Sequence, residues 1–576
     1  MPPRSKINRE SLLSVLAIFI LAAAGSLRIW TIDGTMWDDN AWLMSIYSTN
    51  DLQGFLDTGF VEARRVPLGV FLYGLFWLHK NTELYYVAWH GLNVVTQMGT
   101  PFLIYLTIRK LFPEPRLLAF FVAATFAAIS LDQTLPYAAA INYRIGLLLG
   151  VASFYLTACA LMHRRHRVLL SLASLAAAFI AYGVFMEAVV ALEPGRLLMV
   201  IFVLRSQQRL SRQKLLVAGL KWWLPYLLIS IPYIAYKLLN KPYGIYAGVY
   251  ESNMLFWLNW QDDINLLAYL FLFQWLIFLE YLKQASAASV LLGIGVMVFL
   301  AVLFIRFKNW GAGSSSKPAK QPKNRRRTVK EALLLGLALM IPSVLLFQYV
   351  GRPITWGVYS SHGAVAQFGY AVIIGALLTA GYYATGQRSR WKRVVRAGVP
   401  LFFGAGVFFS NLNIDLYRYA HQQEGAFWRA FLERFPTLPE KAIFLFDVRN
   451  DSLYRPTYYY DYELPLNLLY ARNASPSDFR RYLVSTAFDI YVMRDTIRPE
   501  HLVETYIARH SWWGRDVLYP SQFIAVHYDG ERLLVNREII EAYPATPYRP
   551  LLNKEPPVWP EREMRYPFRP KISLAD

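Results

Sequence analysis

Cysteine is almost absent from this 576-residue chain. The one thiol, Cys159, sits inside an apolar run, so no internal disulfide can staple the fold. Packing as a small helix residue is the role left to it. Charge is scarce as well, at 17%, against 55% hydrophobic and 16% aromatic residues. With a mean hydropathy of +0.27, that balance excludes an ordinary water-soluble protein over most of the length and makes lipid the main solvent. Acids are the scarcer sign, 39 against 59 Lys and Arg, and they are nearly missing from the apolar runs. That shortage, with no internal repeat, argues against a transporter built from duplicated halves with intramembrane carboxylates.

The excess of basic residues is distributed in short clusters between apolar runs. Arg4, Lys6 and Arg9 form the first, Arg109, Lys110 and Arg116 the next, and Arg164, Arg165 and Arg167 another; residues 317–330 and 388–396 are the densest. This is the positive-inside pattern, so the net charge of +20 reports topology and not a nucleic-acid partner. His163 and His166 have a spacing that metal sites use, yet they are embedded in one of these clusters, and orientation explains them better. The basic start and apolar stretch at the N-terminus lack a small-residue cleavage site, so residues 11–29 read as a retained first span.

A hydrocarbon core of ~30 Å needs about 20 residues of helix. The segments that qualify are 11–30, 85–107, 117–131, 145–162, 168–186, 188–205, 215–239, 287–306, 331–350, 364–385 and 397–411. Stretches 66–79 and 264–282 are ambiguous, which gives about 11–13 transmembrane helices. Placing the basic clusters on the cytoplasmic side works when eleven segments cross and the two ambiguous ones lie along the outer interface. Residues 31–84 and 240–286 then become outer loops. The basic linker 307–330 is cytoplasmic, and its stretch 311–327, rich in Gly, Ser, Pro, Lys and Arg, reads as disordered.

Composition divides the chain into a transmembrane domain, 1–411, and a soluble extracytoplasmic domain, 412–576. In the latter, residues 442–448 and 489–493 read as buried strands, 476–485 and 499–510 as helical, and 523–528 with 531–537 as a hairpin turning at Asp529 and Gly530. The expected fold is a polytopic α-helical membrane protein with a C-terminal extracytoplasmic α/β domain. A Pro-rich tail, 543–570, reads as an extended strap.

One local feature is out of place in an acid-poor membrane protein: Asp38 and Asp39, adjacent carboxylates after Trp37, just outside the first span. Aromatic residues Trp37, Trp42 and Tyr47 would hold the loop at headgroup depth, the height of a lipid-linked phosphate. At that height the pair can supply a general base, or coordinate a divalent cation such as Mg2+ or Mn2+. Arg64 and Arg65 can hold a phosphate through their forked donors, or bind lipid headgroups. A helix cap or solvated turn is the ordinary alternative for the acids. Glu62, Glu187, Arg144, Arg352 and His362 lie on the same predicted outer side and are candidates for phosphate or substrate contact. Asp132, Asp262 and Asp263 could make such contacts too, but ordinary loop polarity is the better account of any one of these three, or of Arg144, Arg352 and His362. The aromatic run from Tyr454 to Tyr462 reads as a sugar-stacking surface or as the core of a small domain.

These elements in this order resemble the GT-C superfamily of integral-membrane glycosyltransferases, most closely its protein-O-mannosyltransferase and TMTC-like branch. The likeness rests on Trp37-Asp38-Asp39, then Arg65-Val66-Pro67-Leu68, then Tyr85-Tyr86-Val87-Ala88-Trp89-His90-Gly91-Leu92-Asn93. It continues through Asn142-Tyr143-Arg144 and Met186-Glu187, covering roughly the first 205 residues. Val66 interrupts the family's Arg-Pro pair, and Met186 stands where the family has Lys. The resemblance implies an inverting transferase that moves a sugar from a polyprenyl-phosphate donor to a glycan, protein or lipid acceptor on the outer face of a bacterial-type inner membrane. It assigns the base to Asp38, with Asp39 in support. A lipid or sugar transporter (flippase) and a non-catalytic scaffold displaying the C-terminal domain are the rival expectations.

Overall fold

The computed structural model describes residues 9–32, 34–35, 38–49, 51–207, 210–240, 274–306, 321–349, 354, 357–384, 389–439, 442–449, 454, 459–476, 478–479, 481–486 and 522–542. Helix α1 (Arg9–Ser26) runs into a 3-10 turn, Leu27–Thr31, and is followed by α2 (Asp38–Ser48), α3 (Leu52–Asp57), α4 (Val66–Asn81) and α5 (Leu84–Leu111). Next come α6 (Arg116–Ala128), α7 (Ile141–Met162), α8 (Arg167–Ile180), α9 (Glu193–Gln207) and α10 (Arg212–Leu239). The rear helices are α11 (Gln274–Glu280), α12 (Ala287–Arg306), α13 (Gln321–Tyr349), α14 (Ala366–Ala384) and α15 (Ser389–Arg434). After them lie β1 (Ala442–Val448), α16 (Tyr459–Tyr470), β2 (Leu483–Thr486), β3 (Gln522–Tyr528), β4 (Leu533–Val535) and α17 (Arg537–Ala542).

Among the described residues, seven helices are long and apolar enough to cross a membrane. Each of the eleven sequence segments overlaps a helix, although several of those helices are too short or too polar to meet that test. Large apolar side chains on α8, α10 and α12 face outward, among them Val168, Leu169, Leu228 and Leu291. Outward Leu and Val on long helices are what a lipid-solvated bundle requires, since lipid is as apolar as they are. Inside, helices approach closely where side chains vanish. A Cβ on Gly293 would lie 2.8 Å from Phe408 Cβ, and one on Gly404 would lie 2.8 Å from the Gly293 carbonyl, so α12 and α15 cross at two glycines.

Three buried clusters follow the chain. The largest fills the membrane bundle around Leu118, Phe121, Val151 and Phe403. A second joins the segment between α1 and α4, through Leu43, Met44 and Phe55, to Trp89 on α5, to Tyr137 and Ile141, and to Leu412, Tyr417 and Tyr454. The third packs Phe427, Trp428 and Phe431 of α15 against Phe444 and Phe446 of the sheet. That sheet has the order β2-β1-β3-β4, parallel except for the β3–β4 hairpin, with Ile443 opposite Leu483 and Phe523.

Several expectations change. The boundary expected at residue 412 falls inside α15, a 46-residue helix. Polarity rises there, but Leu412, Leu416, Tyr417, Ala420, Phe427, Trp428 and Phe431 keep one face of the helix apolar and buried. Residues 321–327, expected in a disordered linker, are helical at the start of α13, where Arg327 Nε donates to Glu331 at 2.7 Å and Arg205 pairs with the same carboxylate. Leu483–Thr486 is a parallel strand where a helix was expected, because β1 supplies its backbone partners. Strand 489–493, helix 499–510 and the tail 543–570 lie outside the described residues.

Candidate functional site

Asp38 and Asp39 form the first turn of α2, where the exposed amides of a helix N-terminus favour negative charge. Their surroundings differ. Asp38 is half-buried, whereas Asp39 is fully enclosed. Asp39 Oδ1 accepts the amide of Ala139 at 2.6 Å and Oδ2 accepts that of Ala138 at 3.0 Å. Burial pushes the Asp39 carboxyl up to about 7; the two amides pull it down, the charge of Asp38 pushes it further up, and Arg144 opposes that.

Asp39 therefore clamps the loop between α6 and α7 to the start of α2. Arg144 holds the same loop from the other side. Its Nη1 donates to Asp132 Oδ2 at 2.8 Å, and its Nη2 donates to the carbonyls of Thr134 and Tyr137, both at 3.1 Å. Asp132 in turn accepts the amide of Thr134 at 2.8 Å. Arg144 is 4% exposed, so this residue, expected at a phosphate, is a loop staple here.

The other cations take different places. Arg65 reaches Glu187, with Nε at 3.0 Å and Nη2 at 2.5 Å from Oε1, which ties the start of α4 to the turn between α8 and α9. That turn is irregular: a π-helical turn, Ala181–Phe185, is followed by a 3-10 turn, Glu187–Leu192, and this presents Glu187 toward Arg65. Arg64 adopts φ +57°, a left-handed conformation that costs a branched-free side chain about 1 kcal/mol or more. Glu62 is half-buried one turn earlier. His362 is buried elsewhere, stacked on Phe347 with ring centroids 4.8 Å apart. Arg352 lies outside the described residues.

The structure adds residues that sequence reasoning did not single out. Asn40 Nδ2 donates to Asp461 Oδ1 at 3.3 Å, and Asp461 is 2% exposed on α16. Asp461 lies close enough to the buried Glu424 of α15 for their charges to interact, and the charges of Asp39 and Asp461 both reach Tyr417. Tyr137, Tyr417 and Tyr454 pack their rings together at 5.1 to 6.2 Å. Among the described residues, the hydroxyls of Tyr85 and Tyr417 are buried without a hydrogen-bond partner. The available signal was the spacing of Tyr417, His421, Glu424 and Trp428 on one face of a helix, together with acids inside the tyrosine run.

Among the described residues, no three His, Cys, Asp or Glu side chains converge where a metal ion could sit. A divalent cation on the acidic pair would have to compete with the Ala138 and Ala139 amides for Asp39. No protein-family model, curated protein or solved structure matches this chain.

Proposed function

We propose that the chain is an inverting GT-C-type glycosyltransferase that moves a sugar from a polyprenyl-phosphate donor to an acceptor hydroxyl at the outer face of a bacterial-type inner membrane. In this reading the N-terminus is cytoplasmic, eleven helices cross, and the C-terminal domain is extracytoplasmic. The observation that carries it is the division of labour within the acidic pair: a half-buried Asp38 is held on a helix whose next residue, Asp39, is locked to two amides. A base needs a fixed position more than a special neighbour, and Asp39 supplies that fixity.

Asp38 takes the proton of the acceptor hydroxyl as its oxygen attacks the anomeric carbon. The bond from that carbon to the phosphate oxygen breaks on the opposite face, and the polyprenyl phosphate leaves with the electron pair. Arg64 and Arg65 supply positive charge for that departing group. The experiment is sugar transfer from a radiolabelled polyprenyl-phosphate sugar by the purified chain in detergent. Asp38→Asn should lower turnover by about 100-fold or more, with thermal stability retained; full activity in that variant removes the base.

The transporter reading would draw on Glu193 and Arg196, a buried pair at the start of α9 with Nε 2.9 Å from Oε1. That pair is fully bonded, however. Trp223 Nε1 donates to Glu193 at 3.1 Å, the Tyr182 hydroxyl also donates to it, and Arg196 Nη1 donates to Thr157 at 2.8 Å. A saturated network suits a structural pin better than a carrier of ions.

A further inference from the structure

A cleft opens between α1, α5, the end of α6, α11 and α15. One wall is aromatic: Phe278 stacks on Phe409 at 5.5 Å, and Trp275 meets Phe409 edge-on at 5.3 Å. The opposite side is polar and uncharged. Gln97 of α5 lines the cleft, half-buried and with no hydrogen bond among the described residues. It belongs to a stripe on α5 at helical spacing, His90, Asn93, Gln97 and Thr100, which is polar in the middle of an otherwise apolar helix.

Gln133, Asn413 and three serines also line the polar side; Asn413 Nδ2 donates to the Gln133 carbonyl at 2.9 Å, and the serine protons are already committed. Ser26 Oγ donates to the Ala22 carbonyl at 2.6 Å, Ser130 Oγ to the Asp132 carbonyl at 2.6 Å, and Ser410 Oγ to the Ala128 carbonyl at 3.2 Å. Each serine oxygen can therefore only accept from a guest. The one ionisable group in the lining, Asp132, is neutralised by Arg144. A phosphate or carboxylate, which only accepts, would meet the Gln97 carboxamide as a donor but three serine oxygens that can only accept and, among the described residues, no cation in the lining. An ammonium would find no unpaired anion. A hydroxylated ring fits both sides, donating its hydroxyl protons to the serines, exchanging two bonds with Gln97, and laying its apolar face on Trp275 or Phe409.

We infer that this cleft binds an uncharged sugar, the headgroup of a glycosidic amphiphile whose tail enters the surrounding apolar helices. The inference does not depend on the chemistry at Asp38. If the transferase reading also holds, it restricts the sugar lodged here to neutral ones and leaves the phosphate outside the cleft.

Equilibrium dialysis of the full-length protein in a polyoxyethylene detergent tests it, with radiolabelled octyl β-glucoside below its micelle concentration and empty micelles as background. Octyl phosphate and octylamine serve as probes of each charge. Saturable binding of the glucoside alone is expected, weakened about tenfold in Gln97→Leu and in Trp275→Ala, but close to wild type in Trp275→Phe. Gln97 has no bond to lose, so Gln97→Leu should keep the wild-type elution profile and melting temperature. Octyl phosphate or octylamine binding as tightly as the glucoside overturns the inference. So does unchanged binding in Gln97→Leu, or no saturable glucoside binding by folded wild-type protein. Asp38→Asn separates the two proposals, because it should abolish transfer and leave glucoside binding intact.

Discussion

Asp39 Oδ1 lies 2.6 Å from the amide nitrogen of Ala139, a contact spanning one hundred residues of sequence. It brings the start of α2 against the α6–α7 loop, and it does so with a carboxyl removed from water. The raised value of about 7 fixes the sign of its pH dependence. A carboxyl whose folded value lies above its unfolded one adds stability below the unfolded value, and that stability is lost as pH rises through the folded value. Between pH 5 and pH 8 the wild-type protein should lose roughly 3 kcal/mol from this group. Asp39→Asn should flatten that slope, although one of its two amide bonds is lost. Melting temperatures of both proteins in detergent across that window provide the check; parallel slopes would exclude the carboxyl as the cause.

The Arg144–Asp132 pair makes a second, independent demand on the same loop. Both side chains are almost fully buried, 4% and 3% exposed, so removing one partner leaves an uncompensated charge. Arg144→Met and Asp132→Leu should each cost about 3–5 kcal/mol. Combining Arg144→Met with Asp132→Leu should recover much of that, because the buried charge goes with its partner. Thermal unfolding of the three variants decides it, and full additivity of the single losses would mean that the two residues do not act as a pair.

What the sequence could reveal depended on how local the cause was. Apolar segments such as 287–306 and the strand 442–448 match their elements because a helix solvated by lipid and a strand buried in its sheet both require an unbroken apolar run. The oddity of Asp38 and Asp39 was equally plain, since acids beside a lipid phase need a reason. Their unequal roles were not, because the partners of Asp39 are Ala138 and Ala139, whose amides carry no side-chain signature. Asp461 was hidden for a similar reason: only tertiary packing brings α16 to Asn40. Composition placed a boundary at residue 412, where polarity changes but the buried stripe of α15 continues.

Arg65 and Glu187 offer a way to separate support from chemistry. Their side chains are 22% and 31% exposed, so the pair should contribute less than about 1 kcal/mol to stability. Glu187→Gln should leave the melting temperature nearly unchanged and raise the KM for a polyprenyl-phosphate sugar, since Arg65 loses its fixed orientation. The double variant Arg65→Glu with Glu187→Arg should restore the ion pair without restoring donor affinity. Recovery of both would make Arg65 a brace with no role at the phosphate.

The seam between the segment joining α1 to α2 and helix α15 is tight at Gly34. A Cβ built there would fall 2.0 Å from Cε1 of His421, far inside contact distance, so Gly34→Ala must push the imidazole away. The ring is not free to go in every direction, because Tyr417 lies edge-on at 5.3 Å and Glu424 stands 3.6 Å from Nδ1. Displacing it should cost about 1–3 kcal/mol and loosen the contact that brings Tyr417 and Asp461 toward the acidic pair. Removing the obstacle should cancel most of that cost, so Gly34→Ala combined with His421→Ala should be more stable than the sum of the two single changes predicts. Such non-additivity in melting temperature ties the α1–α2 segment to α15 directly; simple addition would mean that Gly34 and His421 do not meet.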